Sequence, residues 1–357
     1  MPVKELSVRA RQTDAKPVTI GIEFNQTEIT AALVDEQARI LAERRVETPQ
    51  RTTRSAVAVL AKAVLDLAIS AERAHSPIAA IGLAVDGVID PPNGRVTIPG
   101  WKGWTRVALC QALEEHLNDS GHDIRTHAGE KRGRAAHSVS AHPAMTLCTP
   151  AVAIAAAESR HGAARGKSDV VYFSIGQRVD AGILIGGRAV LGAGGYAGAA
   201  GWLALGNSFK HEYETAGCLS AEAGIHALTR RTMETWDGQE RSVLGGVIQT
   251  DASQLTAATV LRAALGGDKL AVRVVHETCY WIGRGIANLI STLNPEAVVL
   301  GGELGLALKP YLDEIREEAR RWVAPEAARQ CKIVTATVGE KAVVIGAARL
   351  AALKAGM

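Results

Sequence analysis

Aromatic side chains are scarce, only 4% of the 357 residues, while glycine is abundant at 36. The core must therefore be built from Ala, Val, Leu and Ile, with backbones brought close at glycine. Charge of one sign is also missing. Lys plus Arg is 40 and Asp plus Glu is 37, a net of +3. That balance argues against nucleic acid or an anionic membrane as a partner. The cysteines, Cys110, Cys148, Cys218, Cys279 and Cys331, number 5 and include no C-x-x-C pair. A disulfide framework is not expected, and a reducing compartment is. The first residues hold no apolar stretch of the kind a signal peptide needs. Two long runs lack Asp, Glu, Lys and Arg, but 135–157 is broken by His and Pro and 189–209 by repeated glycines. Neither reads as a membrane helix. The expectation is a soluble, cytoplasmic protein without a membrane partner.

What is present is a globular composition, 47% hydrophobic and 22% charged, long enough for two domains. Residues 1–16 are polar and patternless and read as a disordered tail. PVTIGIEF, ITAALVD and ARILAERRVET (17–48) read as three strands joined by tight turns. Helical periodicity covers 53–76. A buried strand (77–85) and a turn-rich segment, DGVIDPPNGRV, follow. A second helix is expected over 107–117. A polar stretch over 118–143 reads as a solvated insertion. The pattern then restarts, with AMTLC (144–148), a short helix (151–162) and strands at 169–176 and 181–187. The last third alternates helices near 219–235, 253–266, 270–293, 307–323 and 341–354 with strands at 296–302 and 332–337. Hairpin strands followed by alternating helices and strands imply an α/β chain of two mixed sheets covered by helices, with a ligand cleft between them.

Several segments resemble the ROK family of bacterial sugar kinases and repressors. VTIGIEFNQTEITAALV is similar to its opening strand pair, usually D-x-G-G-T-K. IGLAVDGVIDPPNGRVTIPGWKGW resembles its G-V-P-G and N-x-P-G-W region. VVYFSIGQRVDAGILIGGRAVLGAGGYAGAAGW resembles the T-G-x-G-G-G loop and G-E-x-G-H. GCLSAEAG is similar to G-C-L-E-x-x-A-S-G, and ANLISTLNPEAVVLGGELG matches L-N-P-x-x-V-V-L-G-G. The resemblance covers about 17–355. It implies an actin-like (ribonuclease H-like) two-domain fold. The N-terminal domain would take 17–150 plus 341–357, and the C-terminal domain 151–340.

The resemblance also shows what has been replaced. In the first phosphate loop only Thr27 matches; Glu23, Asn25, Gln26 and Glu28 take the places of Asp, Gly, Gly and Lys. The second runs from Gly176 through Gln177, Arg178, Val179 and Asp180, with side chains where glycines let phosphate approach. The family's general base, an Asp, aligns with Pro150, after Thr149. No Asp or Glu occurs between Lys131 and Glu158, so relocated candidates are Asp86 and Glu158. Sugar contacts align with Thr97, Ala199, Trp202 and Ser220. Asp86 and Gly87 stand where the family has Pro-Gly, and Trp101 and Trp202 are expected at the same cleft. Gly301 and Gly302 align where the family borders adenosine. The zinc knuckle aligns with His211, Tyr213, Cys218 and Trp202, so structural zinc is expected to be absent.

The resulting expectation is a pseudokinase that binds a sugar, a related metabolite or a protein partner at Asp86, Gly87, Thr97, Thr149, Trp202 and Ser220. Nucleotide contacts would be limited to Thr27, Gly176, Gly301 and Gly302, with neither ATP nor Mg²⁺ as a cofactor and no metal. The alternatives are an active hexose kinase with a relocated base, or an enzyme with a repurposed cleft. The resemblance further implies a homodimer or pairing with a relative. Because few residues precede the first strand, no helix-turn-helix and no nucleic-acid partner are expected.

Overall fold

The structure, a computed structural model, describes residues 16–91, 93–119, 124 and 143–357. The expected tail and the 118–143 insertion, with His122, His127, His137 and His142, fall almost wholly outside the described residues.

The first half contains β1 (Val18–Phe24), β2 (Glu28–Val34), β3 (Ile40–Glu47), α1 (Thr53–Arg73), β4 (Ile78–Val85), β5 (Val88–Asp90), β6 (Arg95–Thr97), α2 (Leu109–Asp119) and β7 (Ala144–Cys148). α3 (Pro150–His161) leads to β8 (Val170–Ile175), β9 (Val179–Ile185) and β10 (Arg188–Ala189). A helical stretch then holds α4 (Tyr213–Ala216), α5 (Cys218–Ala223), α6 (Ile225–Thr235), α7 (Val243–Asp251), α8 (Ala257–Leu265) and α9 (Lys269–Leu293). The chain ends with β11 (Ala297–Gly301), α10 (Gly302–Ala307), α11 (Leu312–Arg321), α12 (Pro325–Gln330), β12 (Lys332–Thr335) and α13 (Ala342–Lys354).

The two large sheets repeat one plan. The first has the order β3-β2-β1-β4-β7 and the second β10-β9-β8-β11-β12. In each, a tight-turn hairpin gives antiparallel pairing, β1 with β2 and β8 with β9, and helical crossovers add parallel strands beyond. The central strands β1, β4, β8 and β11 are buried along almost their whole length, as expected of sheets covered on both faces.

Between the sheets lie two helices, α13 and α3, brought close by glycine. A methyl group at Gly21 of β1 would overlap the Val344 carbonyl of α13, and one at Gly82 of β4 would overlap that of Ala347. Gly182 of β9 meets the Ala151 carbonyl of α3 in the same way, and Gly346 of α13 meets that of Ala153. The layers thus run sheet, α13, α3, sheet, with backbone against backbone at each boundary. Outside them, α1 and α2 cover the first sheet and α5, α6, α8 and α9 the second.

Several expected elements differ. The segment DGVIDPPNGRV forms the small hairpin β5–β6. The helix expected over 219–235 breaks at Gly224, where a Cβ would press on the carbonyls of Ser220 and Gln177. The helix expected over 307–323 is instead α10, a 3₁₀ turn at Lys309–Tyr311 containing Pro310, and α11. Trp101 is not at the cleft. It is 8% exposed and stacks on Trp104 at 4.6 Å and Phe24 at 5.9 Å between ring centres, inside the first core.

Candidate functional site

The C-terminal ends of β1 and β4, the start of α3, the β8–β9 hairpin and the glycine-rich segment 195–202 converge on a cavity of about 440 Å³. A pocket at the carboxyl ends of parallel strands is where sheets of this kind bind ligands. Asp86, Gly87, Thr149, Pro150, Trp202 and Ser220 all line it. Thr97 does not: its hydroxyl accepts the Arg106 N–H at 3.0 Å, and its carbonyl packs against Gly87.

Pro150 is the first residue of α3, and the Thr149 hydroxyl caps the helix by accepting the Val152 N–H at 3.4 Å. Proline suits this position because its missing N–H would have no helical partner and its φ is already helical. No proton acceptor therefore projects from the helix start. Glu158 sits three quarters of the way along α3, away from the cavity and fully buried. Its carboxylate accepts N–H bonds from Thr337 (2.7 Å), Val338 (2.8 Å) and Ala163 (2.7 Å), and the Thr337 hydroxyl at 3.3 Å. Glu158 thus ties the end of α3 to the 337–338 segment and does not line the cavity.

Of the two relocated candidates only Asp86 stands at the cavity wall, with Asp180 as a second acid there. Asp86 lies 3.7 Å from Arg178, which also reaches Asp180 at 4.0 Å. This contact links the end of β4 to the β8–β9 turn, across the cavity. Burial pushes the Asp180 carboxyl above its ordinary value; Arg178 opposes the shift and Asp86 adds to it. Burial likewise raises Glu23, helped by its neighbours Glu28 and Asp86 and opposed by Arg45. Asp86 and Asp180 thus stand in the wall with Arg178 between them, and Glu23 lies near Asp86 outside the lining.

The phosphate-loop amides are committed elsewhere. The Asn25 side-chain oxygen accepts the N–H of Thr27 (2.9 Å), the Thr27 hydroxyl (2.8 Å) and the N–H of Glu28 (2.9 Å). An amide oxygen thus occupies the donor cluster that a phosphate oxygen would need. In the second loop, Gly176 N–H bonds Arg178 O at 3.0 Å and Val179 N–H bonds the Ser220 hydroxyl at 2.9 Å. Gly301 faces the Tyr172 ring, and Gly302, at φ +77°, donates its N–H to the Tyr172 hydroxyl at 3.0 Å. None of Thr27, Gly176, Gly301 and Gly302 lines the cavity.

Trp202 does not fill volume left by lost polar groups. It is 58% exposed at the mouth, with its ring free to stack. Sequence reasoning missed Tyr172 and Ser174, which line the cavity from β8. Their signal was present as period-two spacing, which puts both on one strand face.

The zinc-knuckle positions do not fit a metal ion. His211 is exposed beside Glu214 at 3.5 Å, and the Tyr213 hydroxyl donates to the Glu222 carboxylate at 2.6 Å. No group of three or more His, Cys, Asp or Glu is arranged to hold a metal among the described residues. Glu222 organises this region instead, taking Lys210, Arg230 and Arg231 as well. Burial alone would raise its pKa, yet bonds from Lys210 and Tyr213 and the nearby positive charges hold it at about 2. A carboxyl depressed from 4.5 to about 2 stabilises the fold fully above pH 4.5 and loses that contribution as pH falls towards 2. Glu222→Gln is expected to cost about 3 kcal/mol at neutral pH, because three cations lose their buried partner. Urea unfolding at pH 7 and pH 3 checks this, the variant's deficit shrinking at the lower pH.

Two similarly ordered mixed sheets around a paired-helix layer, with a cleft at their strand ends, define the architecture of the actin-like sugar kinases. Within that class the chain matches the ROK family over residues 19–149 and 143–354, and it belongs to that family. It is 26% identical over 302 residues to the Escherichia coli K12 DNA-binding transcriptional dual regulator NagC, covering 83% of this chain and 66% of that protein. It is 25% identical over 338 residues to a Streptomyces coelicolor glucokinase, covering 94% and 97% of the two chains. A ROK hexokinase from Thermus thermophilus superposes with a TM-score of 0.73 at 26% identity, over 95% of this chain and 99% of that one. The regulator overturns the expectation of no nucleic-acid partner: the balanced charge of this chain does not separate it from a relative named as DNA-binding. No helix among the described residues is long and apolar enough to cross a membrane.

Proposed function

We propose that this ROK protein is a sugar-kinase-like binding protein, a pseudokinase, whose cleft holds a sugar or related polyhydroxy metabolite without ATP-dependent phosphoryl transfer. The observation that carries the reading is Pro150 at the first position of α3, on the cavity wall, where the resemblance expects the general base. The closed phosphate turn around Asn25 supports it. The cavity offers what a neutral polyol needs: the Asp86 carboxylate, the Thr149 and Ser174 hydroxyls, and the exposed face of Trp202.

Asp86 supports a second reading, an active hexose kinase with Asp86 as the base, since its carboxylate stands at the cavity wall beside Arg178. One experiment separates the two. Purified protein is titrated with a hexose and amino-sugar panel by calorimetry, then assayed for ADP release with ATP–Mg²⁺ and the sugar that binds. The pseudokinase reading expects saturable binding, weakened about tenfold in Trp202→Ala, and no ADP release above background. Sugar-dependent ADP release that drops about 10²- to 10⁴-fold in Asp86→Asn would establish the kinase and end the pseudokinase reading.

A further inference from the structure

α3 runs from the cleft at Thr149 and Pro150 to a second cavity of about 650 Å³ at its C-terminal end. Arg160 and His161, from the last turn of α3, line this cavity together with Arg165 just beyond and Arg349 of α13. Two acids face them from the β2–β3 turn. Asp35 is already engaged: its carboxylate accepts the N–H groups of Gln37 (2.9 Å) and Arg39 (2.8 Å) and the Arg39 guanidinium (2.7 Å). Glu36 is exposed. Among the described residues, none of the three cavity arginines has a carboxylate partner.

The positive groups act on one another. Burial and then Arg160 lower the pKa of Arg349. His161 is lowered by burial, then by Arg160, Arg349 and Arg165, with Asp35 opposing. Cations held together and only partly neutralised repel, and a bound anion relieves that repulsion. Guanidinium forks match planar and tetrahedral oxyanions with paired hydrogen bonds. The cavity is of small-molecule size, which favours a compact ligand over a polymer.

We propose that this cavity binds a small oxyanion carrying two or more negative charges, held by Arg160, Arg165 and Arg349. It is separate from the cleft and independent of the function proposed there.

The probe is inorganic pyrophosphate, titrated by calorimetry into the full chain with ionic strength held constant by NaCl. Saturable one-site binding is expected. Arg160→Gln/Arg165→Gln, both at exposed positions, should lose at least about tenfold in affinity, while Arg178→Gln in the cleft should not. The His161 ring signal, followed by NMR, should titrate below the ordinary 6.5 and move up when pyrophosphate binds. Citrate in place of pyrophosphate separates a polycarboxylate from a phosphoryl ligand, and binding of either that is lost in the double variant supports the site. No saturable binding by either anion would overturn the proposal. So would binding that the double variant keeps and Arg178→Gln loses, because the anion would then sit in the cleft. Tighter, equally variant-sensitive binding of a short DNA duplex would overturn the small-ligand assignment.

Discussion

Gly346→Val is expected to lower the melting temperature by about 10 °C or to prevent folding. Any side chain at this position of α13 is driven into the Ala153 carbonyl of α3. Overpacking usually costs about 1–3 kcal/mol, because neighbouring side chains rotate aside. Here the obstacle is backbone inside another helix, and α13 is itself pinned to β1 and β4 by the contacts at Gly21 and Gly82. The cost should lie at or above the top of that range. At roughly 2–4 °C per kcal/mol for a cooperative unit of about 150–250 residues, that gives the shift stated. Gly246→Ala serves as the contrast. It lies inside α7 with nothing within 4 Å of an added Cβ, so it should stabilise by about 0.5–1 kcal/mol through helix propensity. Differential scanning calorimetry of both variants tests the argument, and a Gly346→Val protein that melts like wild type would refute it.

Glu158 carries the second large effect. Glu158→Ala leaves the amides of Ala163, Thr337 and Val338 without their acceptor in a site closed to water. At about 1–3 kcal/mol for each stranded group, partly recovered by relaxation, the expected loss is about 4 kcal/mol. Glu158→Gln keeps the shape but turns an –NH₂ towards an N–H donor, and should cost about 3 kcal/mol. Hydrogen exchange gives the specific reading: the Thr337 and Val338 amides should lose protection beyond the global change. A relocated base predicts the reverse, a Gln variant that is as stable as wild type but inactive.

These residues mark how far the sequence could be read. The hairpin openings of both halves, the buried run at β4 and the long α9 were legible because each rests on local pattern, period two or 3.6 between turn residues. The segment LNPEAVVLGG was legible by resemblance, and its glycines pack closely against Tyr172 and Ile175. Glu158 was not legible. Its spacing to His161 reads as a surface pair, while its acceptors' partners lie 179 and 180 residues further along. Trp101 was misplaced for a similar reason. W-K-G-W brings Trp101 onto Trp104, but the hydrophobic wall that receives them comes from Phe24 and α1. At the cleft, the replaced motif positions indicated which residues gather there. The engagement of Asn25 with its own turn, and of Arg178 with Asp86, needed coordinates.

The start of α3 has a consequence for how such a protein changes over generations. A proline there is preorganised for the helix. An aspartate there would be favoured by the helix dipole, by about 0.3–1 kcal/mol. Folding is therefore nearly indifferent to whether position 150 carries a base. Stability depends on the contacts of Gly346 and Glu158 and very little on the residue at position 150. The fold thus rests on contacts further along α3 and α13, and the residue at this helix start can change at little cost to stability.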